Sequence, residues 1–269
     1  MSIKHLTQIF FSPTGTTRQV LSAISNGIAP AEIRGYDLTP PGNREHVNLS
    51  VDDDDDLVIL GVPVYEEHVP EFLWDCLNGI EGKGKPVVLV AVYGNIYYGM
   101  CLKELEEWAK RAGFKVIAAA AFIGEHSFSH KELPVAEGRP DTQDLSSAKA
   151  FGRDIAEKIG QKDLSMPQIS GKKLLMAHVL PKHSERIFSR IPEANMEKCT
   201  RCMRCLNVCP SGAIDPGSLK IDRSKCLHCF ACVRVCAPEA RRVVLKLKLL
   251  SKNALKLQAK VRKEPEVFI

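Results

Sequence analysis

Residues 6–20 read LTQIFFSPTGTTRQV. A short apolar run gives way to hydroxyl residues around one glycine, and a helix-like period follows from residue 16. Ser12, Thr14, Gly15, Thr16 and Thr17 therefore sit where a strand turns into a helix. The first N–H groups of a helix lack intrahelical partners, and its positive end favours an anion. Gly15 would let the backbone approach a phosphate closely. The loop holds no lysine and no GxxxxGK pattern, which argues against a nucleoside triphosphatase. Hydroxyls without a fixed cation suit a terminal phosphate monoester.

Further strand candidates are 31–38, 57–62, 87–93 and 115–124. The runs LVILGV and VVLVAVY are nearly all apolar, as strands covered on both faces must be. Helical stretches are expected at 16–28, around 70–80, at 99–113 and at 145–160, the last capped by Asp141 or Asp144. Strands alternating with helices imply a parallel, doubly wound α/β sheet. In such a sheet a ligand lies beyond the carboxyl ends of the strands, at the switch point. The third strand runs into GVPVYEEHVPEF and the fourth into VYGNIYYGMCLKEL. Candidate ligand contacts there are Val62, Pro63, Val64 and Tyr65, then Tyr93, Gly94, Asn95 and Tyr98. Tyr65 and Tyr98 offer ring faces, and the backbone of 62–65 and 93–96 offers polar groups to ring edges. Gly82-Lys83-Gly84 is a turn, and nothing resembles a dinucleotide fingerprint.

The charge is divided. Residues 1–160 carry 15 Lys/Arg against 23 Asp/Glu, a balance of −8, and residues 161–269 carry 22 against 9, a balance of +13. No aromatic-interleaved basic motif accompanies the second half, so nucleic acid is not expected as a partner. No long apolar run predicts a transmembrane segment, the stretch MSIKHLTQIFFSPTG lacks the apolar run and cleavage site of a secretory signal, and a cytoplasmic location is expected. Eight of ten cysteines fall in two runs, CTRCMRCLNVCP (199–210) and CLHCFACVRVCAP (226–238). In a reducing compartment such clusters read as metal ligands rather than disulfides. Structural zinc, the alternative, usually pairs two CxxC units across a longer gap. CxxCxxCxxxC, twice, is far more specific to iron–sulfur cubes.

SPTGTT resembles the phosphate loop of flavodoxins, and the three-loop layout is similar to a flavodoxin fold holding FMN. YGN followed by a tyrosine, and GRPDTQDLSSAKAFG (138–152), resemble the flavodoxin–ferredoxin fusion family, in which a flavodoxin-like domain precedes a bacterial two-4Fe-4S ferredoxin domain. The resemblance implies a five-stranded sheet of order 2-1-3-4-5 and bound FMN over residues 1–160, a linker with a helix over 161–198, and a small ferredoxin-like domain over 199–240. A basic amphipathic helix and tail are expected over 241–269. In two-cluster ferredoxins the fourth cysteine of each run ligates the other cluster. That assigns Cys199, Cys202, Cys205 and Cys236 to one 4Fe–4S cluster, and Cys209, Cys226, Cys229 and Cys232 to a second. Proline follows Cys209 directly but is displaced by one residue after Cys236.

The expected function is electron transfer between 4Fe–4S clusters and FMN, linking one-electron carriers to a partner protein, either a ferredoxin-type donor or an acceptor enzyme, or to a substrate. A flavin-dependent reductase of a small molecule is the alternative, and a zinc-binding regulator the weaker one. The cluster domain is expected to dock near the loops at 62–68 and 93–98. His68, His126 and His130 lie near the expected flavin edge, where a proton donor or an ordinary loop histidine would sit. His228 is expected to face solvent or to donate to sulfur, Asp52 to Asp56 to form a solvated loop, and Cys76 and Cys101 to fill apolar space.

Overall fold

The computed structural model describes residues 3–44, 49–50, 56–171, 185–246, 255 and 261–269. Five parallel strands form the centre: β1 (His5–Phe10), β2 (Glu32–Asp37), β3 (Leu57–Pro63), β4 (Pro86–Tyr93) and β5 (Lys115–Ile123). The ladder runs β2-β1-β3-β4-β5, the expected order, with Leu6 opposite Leu57 and Val58 opposite Val87. A sixth strand, β6 (Glu266–Phe268), extends the sheet by pairing antiparallel with β5, Val267 opposite Ala120. From sequence, these residues are expected to form a tail. The three-residue run is exposed apart from half-buried Phe268 and carries no period of its own.

Three helices flank the sheet: α1 (Thr16–Ile28), α2 (Cys101–Arg111) and α3 (Thr142–Gly160). Asp141 caps α3 with a capping box, its carboxylate accepting from the Gln143 and Asp144 amides while Asp144 accepts from the Asp141 amide. The expected helix around 70–80 is only the 3-10 turn Glu71–Leu73 followed by the single turn Trp74–Leu77. One face of the sheet packs Leu6, Leu57, Val90 and Phe122 against Val20, Leu21 and Ile24 of α1 and Phe151 of α3. The other packs Leu60, Leu89 and Ile123 against Leu102, Leu105 and Trp108 of α2, with Cys76 and Cys101 among them. Burial raises the pKa of both thiols, in keeping with apolar fillers.

Glycine sets the crossing of α1 and α3. A Cβ at Gly152 would stand 2.1 Å from the Ile24 carbonyl oxygen, and one at Gly27 2.1 Å from that of Lys149. Gly152→Ala should therefore destabilise the protein by about 3 kcal/mol or more, because two backbones must part to admit one methyl. Urea denaturation tests this. An unchanged midpoint would mean that the helices separate freely.

Beyond Gly160 the chain stays against the sheet domain. Ile169 is buried in its core, and the ammonium of Lys158 donates to Ile117 O and Ser165 O, both at 3.0 Å. Residues 185–246 then build a small module. It opens with the turn Glu185–Phe188 and a short antiparallel pair, Ser189–Arg190 with Val244–Leu245. Of the basic helix and tail expected over 241–269, residues 247–254 and 256–260 lie outside the described residues, and Val244–Leu245 is a strand. That ladder wins over helical spacing because Ser189–Arg190 supplies a partner. Of the acidic run, Asp56 is described: its carboxylate accepts from the Lys4 and His5 amides at 2.6 and 3.0 Å.

Candidate functional site

The hydroxyl loop leaves β1 at the junction with β3, where the strand order reverses. Gly15 takes φ +85°, a left-handed conformation that favours glycine, and starts α1 as its N-cap. The Ser12 hydroxyl accepts from Arg18 N at 3.1 Å, and Thr14 and Thr16 hydroxyls stand 3.4 Å apart. The Thr16 and Thr17 amides fall in the first helical turn, where no intrahelical acceptor exists. Thr17 is fully buried, and its hydroxyl has no hydrogen-bond partner among the described residues. Such an orphan costs roughly 1–3 kcal/mol unless something meets it. Thr39, unremarked in the sequence, accepts from Ser12 N at 2.8 Å and braces the loop from behind.

Around this loop lie the turns after β3, β4 and β5. The first is held by Val64 N donating to Val92 O at 2.8 Å and by a two-way bridge between Tyr65 and His68. Glu66 and Glu67 occupy the left-handed region at its tip. The Glu67 carbonyl accepts from Met100 N, which joins this turn to the one after β4. There Asn95, buried with φ +63°, directs its amide Nδ2 to Val261 O at 3.0 Å. Gly94 lies against the His126 ring, and Gly124 leaves room beside Thr16. The three turns and the hydroxyl loop thus share one end of the sheet.

Of the expected ring contacts, Tyr65 is half-buried at this end, as is Tyr97, which the sequence reading passed over. Tyr98 does not offer a face. It is buried beside Tyr93, and its hydroxyl donates to Glu266 at 2.7 Å and pairs with Ser170 at 3.0 Å. The two rings stay in contact, 5.1 Å between centroids, but the core takes the second and leaves Tyr97 half-buried. Val62 and Tyr93 also bury their side chains, so their backbones alone are available to a ligand. Burial pushes the Tyr93 phenol up to about 12.

The three histidines named from sequence are each tied down. His68 pairs through Nδ1 with Glu104, whose other oxygen accepts from Val69 N at 2.9 Å. His130 Nδ1 lies 2.8 Å from Phe128 O. His126 Nδ1 accepts from Phe128 N at 3.0 Å, which places the proton of the neutral ring on Nε2. Burial, aided by nearby Arg234, holds the His126 pKa down to about 4.

In the cysteine module the two runs are related by a shift of 27 residues. Arg201 and Met203 flank Cys202, and His228 and Phe230 flank Cys229; all four flanking residues are left-handed. One-turn helices follow in register, Arg204–Asn207 and Ala231–Arg234. Cys199, Cys202, Cys205 and Cys236 line one small cavity. Cys209, Cys226 and Cys229 lie close enough to Cys232 for their charges to raise its pKa, although burial is the larger cause. The structure thus brings the cysteines of each quartet into one neighbourhood. Among the described residues no group of three or more His, Cys, Asp or Glu is arranged to hold a single metal ion.

Backbone amides face the sulfurs. Ala213 N donates to Cys209 Sγ at 3.3 Å and Arg241 N to Cys236 Sγ at 3.4 Å. The donor sits four residues on in the first run and five in the second, the same one-residue offset as the displaced proline. The Arg204 amide, likewise, lowers the pKa of exposed Cys202. Arg241, missed from sequence, is buried and binds Pro192 O and Leu219 O, both at 2.7 Å. His228 does not face solvent: it is buried, with Nδ1 2.8 Å from the Ser189 hydroxyl.

The module sits against the sheet domain at the turn after β5, which the sequence does not single out for docking, and at Ile96 of the 93–98 loop. Arg234 donates to Glu125 at 2.6 Å and to His126 O at 3.0 Å. Phe230 meets Phe128 edge to face at 5.5 Å, with Ile96 packed alongside. Lys131 pairs with Glu239 at 3.0 Å, and Arg44, after β2, reaches the Pro210 carbonyl. Pro210, Leu227 and Phe230 each neighbour a cysteine of the Cys209 quartet, and each meets the sheet domain.

Residues 191–237 match the 4Fe-4S dicluster domain family. The chain is similar in structure to a flavodoxin from the domain Archaea, at 17% identity over 58% of this chain and 99% of that one, with a TM-score of 0.39. It is similar to flavodoxin 2 from Bacillus cereus at 17% identity, covering 57% and 99%, with a TM-score of 0.43. A flavodoxin, WrbA-like protein from Agrobacterium tumefaciens stands at 15%, 59% and 98%, with a TM-score of 0.42. No curated protein matches. The strand order 2-1-3-4-5 defines the N-terminal part as a flavodoxin-like doubly wound domain. With the matched segment, the chain is a flavodoxin-like domain joined to a ferredoxin-type dicluster domain. Among the described residues no helix is long and apolar enough to cross a membrane.

Proposed function

We infer that the chain is a cytoplasmic electron-transfer flavoprotein that carries FMN and two 4Fe–4S clusters and exchanges electrons with a redox partner protein. FMN supplies one- and two-electron chemistry and the clusters single-electron transfer. The observation that carries this reading is the contact between residues flanking the Cys209 quartet and the loops at the switch-point end of the sheet domain. Cys209, Cys226, Cys229 and Cys232 would hold the cluster nearer FMN. Cys199, Cys202, Cys205 and Cys236, with Cys202 exposed, would hold the outer one. The hydroxyls of Ser12, Thr14, Thr16 and Thr17 and the first amides of α1 would hold the phosphate. The backbones of 62–65 and 93–96, with Tyr65, would border the ring.

Chemical analysis tests the reading. Acid-released flavin should be FMN, and anaerobic protein should hold about eight iron and eight sulfide per chain. FAD, or about two zinc without sulfide, would refute it.

The buried Thr17 hydroxyl gives a prediction of opposite signs. Thr17→Val should weaken FMN binding by about tenfold or more, since one donor is lost, and raise apoprotein stability by roughly 1 kcal/mol, since the orphan is removed. Fluorescence titration with FMN and thermal melts of flavin-free protein measure the two. Unchanged affinity would remove Thr17 from the cradle.

A further inference from the structure

On the cysteine module, a hollow of about 740 Å³ is lined in part by chain neighbours of cysteines from both quartets. Its lining includes six cations, Arg186, Arg190, Lys198, Arg223, Arg242 and Lys246, against two acids, Glu193 and Glu239. Glu239 is already paired with Arg242 and Lys131. Lys198 precedes Cys199 in the chain, and His228, also in the wall, lies between Cys226 and Cys229. Apolar surface accompanies the charge. Val244 in the lining is exposed, as are Ile187, next to Arg186, and Met196, next to Asn195 of the lining. Exposed large apolar side chains among charges mark a face that meets another protein, because a small anion gains nothing from them.

We propose that this basic face is where an acidic one-electron carrier protein docks to exchange electrons with the clusters. The inference rests on the electron-transfer reading above and adds the site and the partner's charge. The step transfers one electron: the carrier is oxidised by one as a cluster is reduced by one, or the reverse, and no bond forms. The cations steer the acidic partner, and the exposed apolar side chains provide contact once water is expelled. Oxidised clusters with four thiolates each are themselves anionic, so without this lining they would repel such a partner.

Charge reversal tests it. The full-length holoprotein and an Arg190→Glu/Arg223→Glu variant would be mixed anaerobically with a reduced acidic 2[4Fe–4S] ferredoxin, and cluster bleaching followed. At low salt the variant should react at least about tenfold more slowly, with the two rates converging as salt is raised. Iron content, and reduction by photoreduced 5-deazariboflavin, an uncharged small reductant, should not change. Equal rates with ferredoxin at low salt would overturn the proposal. So would stoichiometric pyrophosphate binding lost in the variant while the ferredoxin rate is kept, which would make the hollow a small-anion site. Failure of the underlying reading looks different: the clusters would be reduced by ferredoxin with the expected charge dependence while the flavin stayed oxidised.

Discussion

Cys229→Ala should halve the iron content, from about eight to about four per chain, and stop the flavin from being reduced through the clusters. Cys229 belongs to the quartet whose neighbours touch the sheet domain, and it sits between His228 and Phe230, both buried. Removing its sulfur leaves three ligands on the inner side and all four on the outer. The outer cluster should still bleach when a reductant is added, but the flavin should lag at the rate of the isolated sheet domain. Cys76→Ala, which removes a buried thiol of the sheet domain's core, should leave iron and sulfide unchanged. Metal and sulfide analysis with rapid mixing distinguishes the cases. Full flavin reduction at the original rate in Cys229→Ala would break the proposed relay, whatever the iron count.

Ending the chain at residue 260 should loosen the whole switch-point end. The last nine residues supply β6, the Val261 carbonyl that holds Asn95 at 3.0 Å and the Glu266 carboxylate that accepts from Tyr98 at 2.7 Å. They also supply Arg262, paired with Asp141 at 2.6 Å, and the Lys263 carbonyl, which accepts from Arg139 at 2.8 Å. Arg139 forms a buried ion pair with Asp144, so its remaining N–H would lose a partner in a place water reaches poorly. At about 1 kcal/mol for each hydrogen bond, the loss comes to roughly 4 kcal/mol. Thermal melts should show it. Freed from Val261, the turn at Asn95 should also hold FMN about tenfold less tightly, since ordering that turn would then fall to the ligand. A truncated protein with unaltered melting and flavin affinity would mean that the tail only decorates the sheet.

The parallel strands and α1 were legible because local chemistry and burial agree. LVILGV and VVLVAVY are apolar on both faces because helices cover both, and α1 starts at Thr16 where the hydroxyl loop stops. The dicluster domain was legible for a stricter reason, since CxxCxxCxxxC, twice over, is a far more specific pattern than an apolar period. What escaped depended on distant partners. Glu266–Phe268 becomes a strand only because β5 has an unpaired edge, and Val244–Leu245 is extended because Ser189–Arg190 lies opposite. Tyr97 and Tyr98 are chemically alike, and the choice of which one is buried rests on Glu266, about 170 residues away. His228 reads as a loop residue, yet Ser189 draws it inward.

The chain leaves the sheet domain beyond Ile169 and Ser170 and returns to it at β6, so the cysteine module is an insertion held at both ends and not a pendant. A module on one leash explores a volume set by the length of that leash, and its encounters with its neighbour are rationed accordingly. Two anchors remove most of that volume and raise the local concentration of one partner at the other far beyond what dilution of the protein could alter. The second of these anchors is a strand on the edge of the sheet. The same closure seals that edge, which would otherwise be open to pairing with a second molecule.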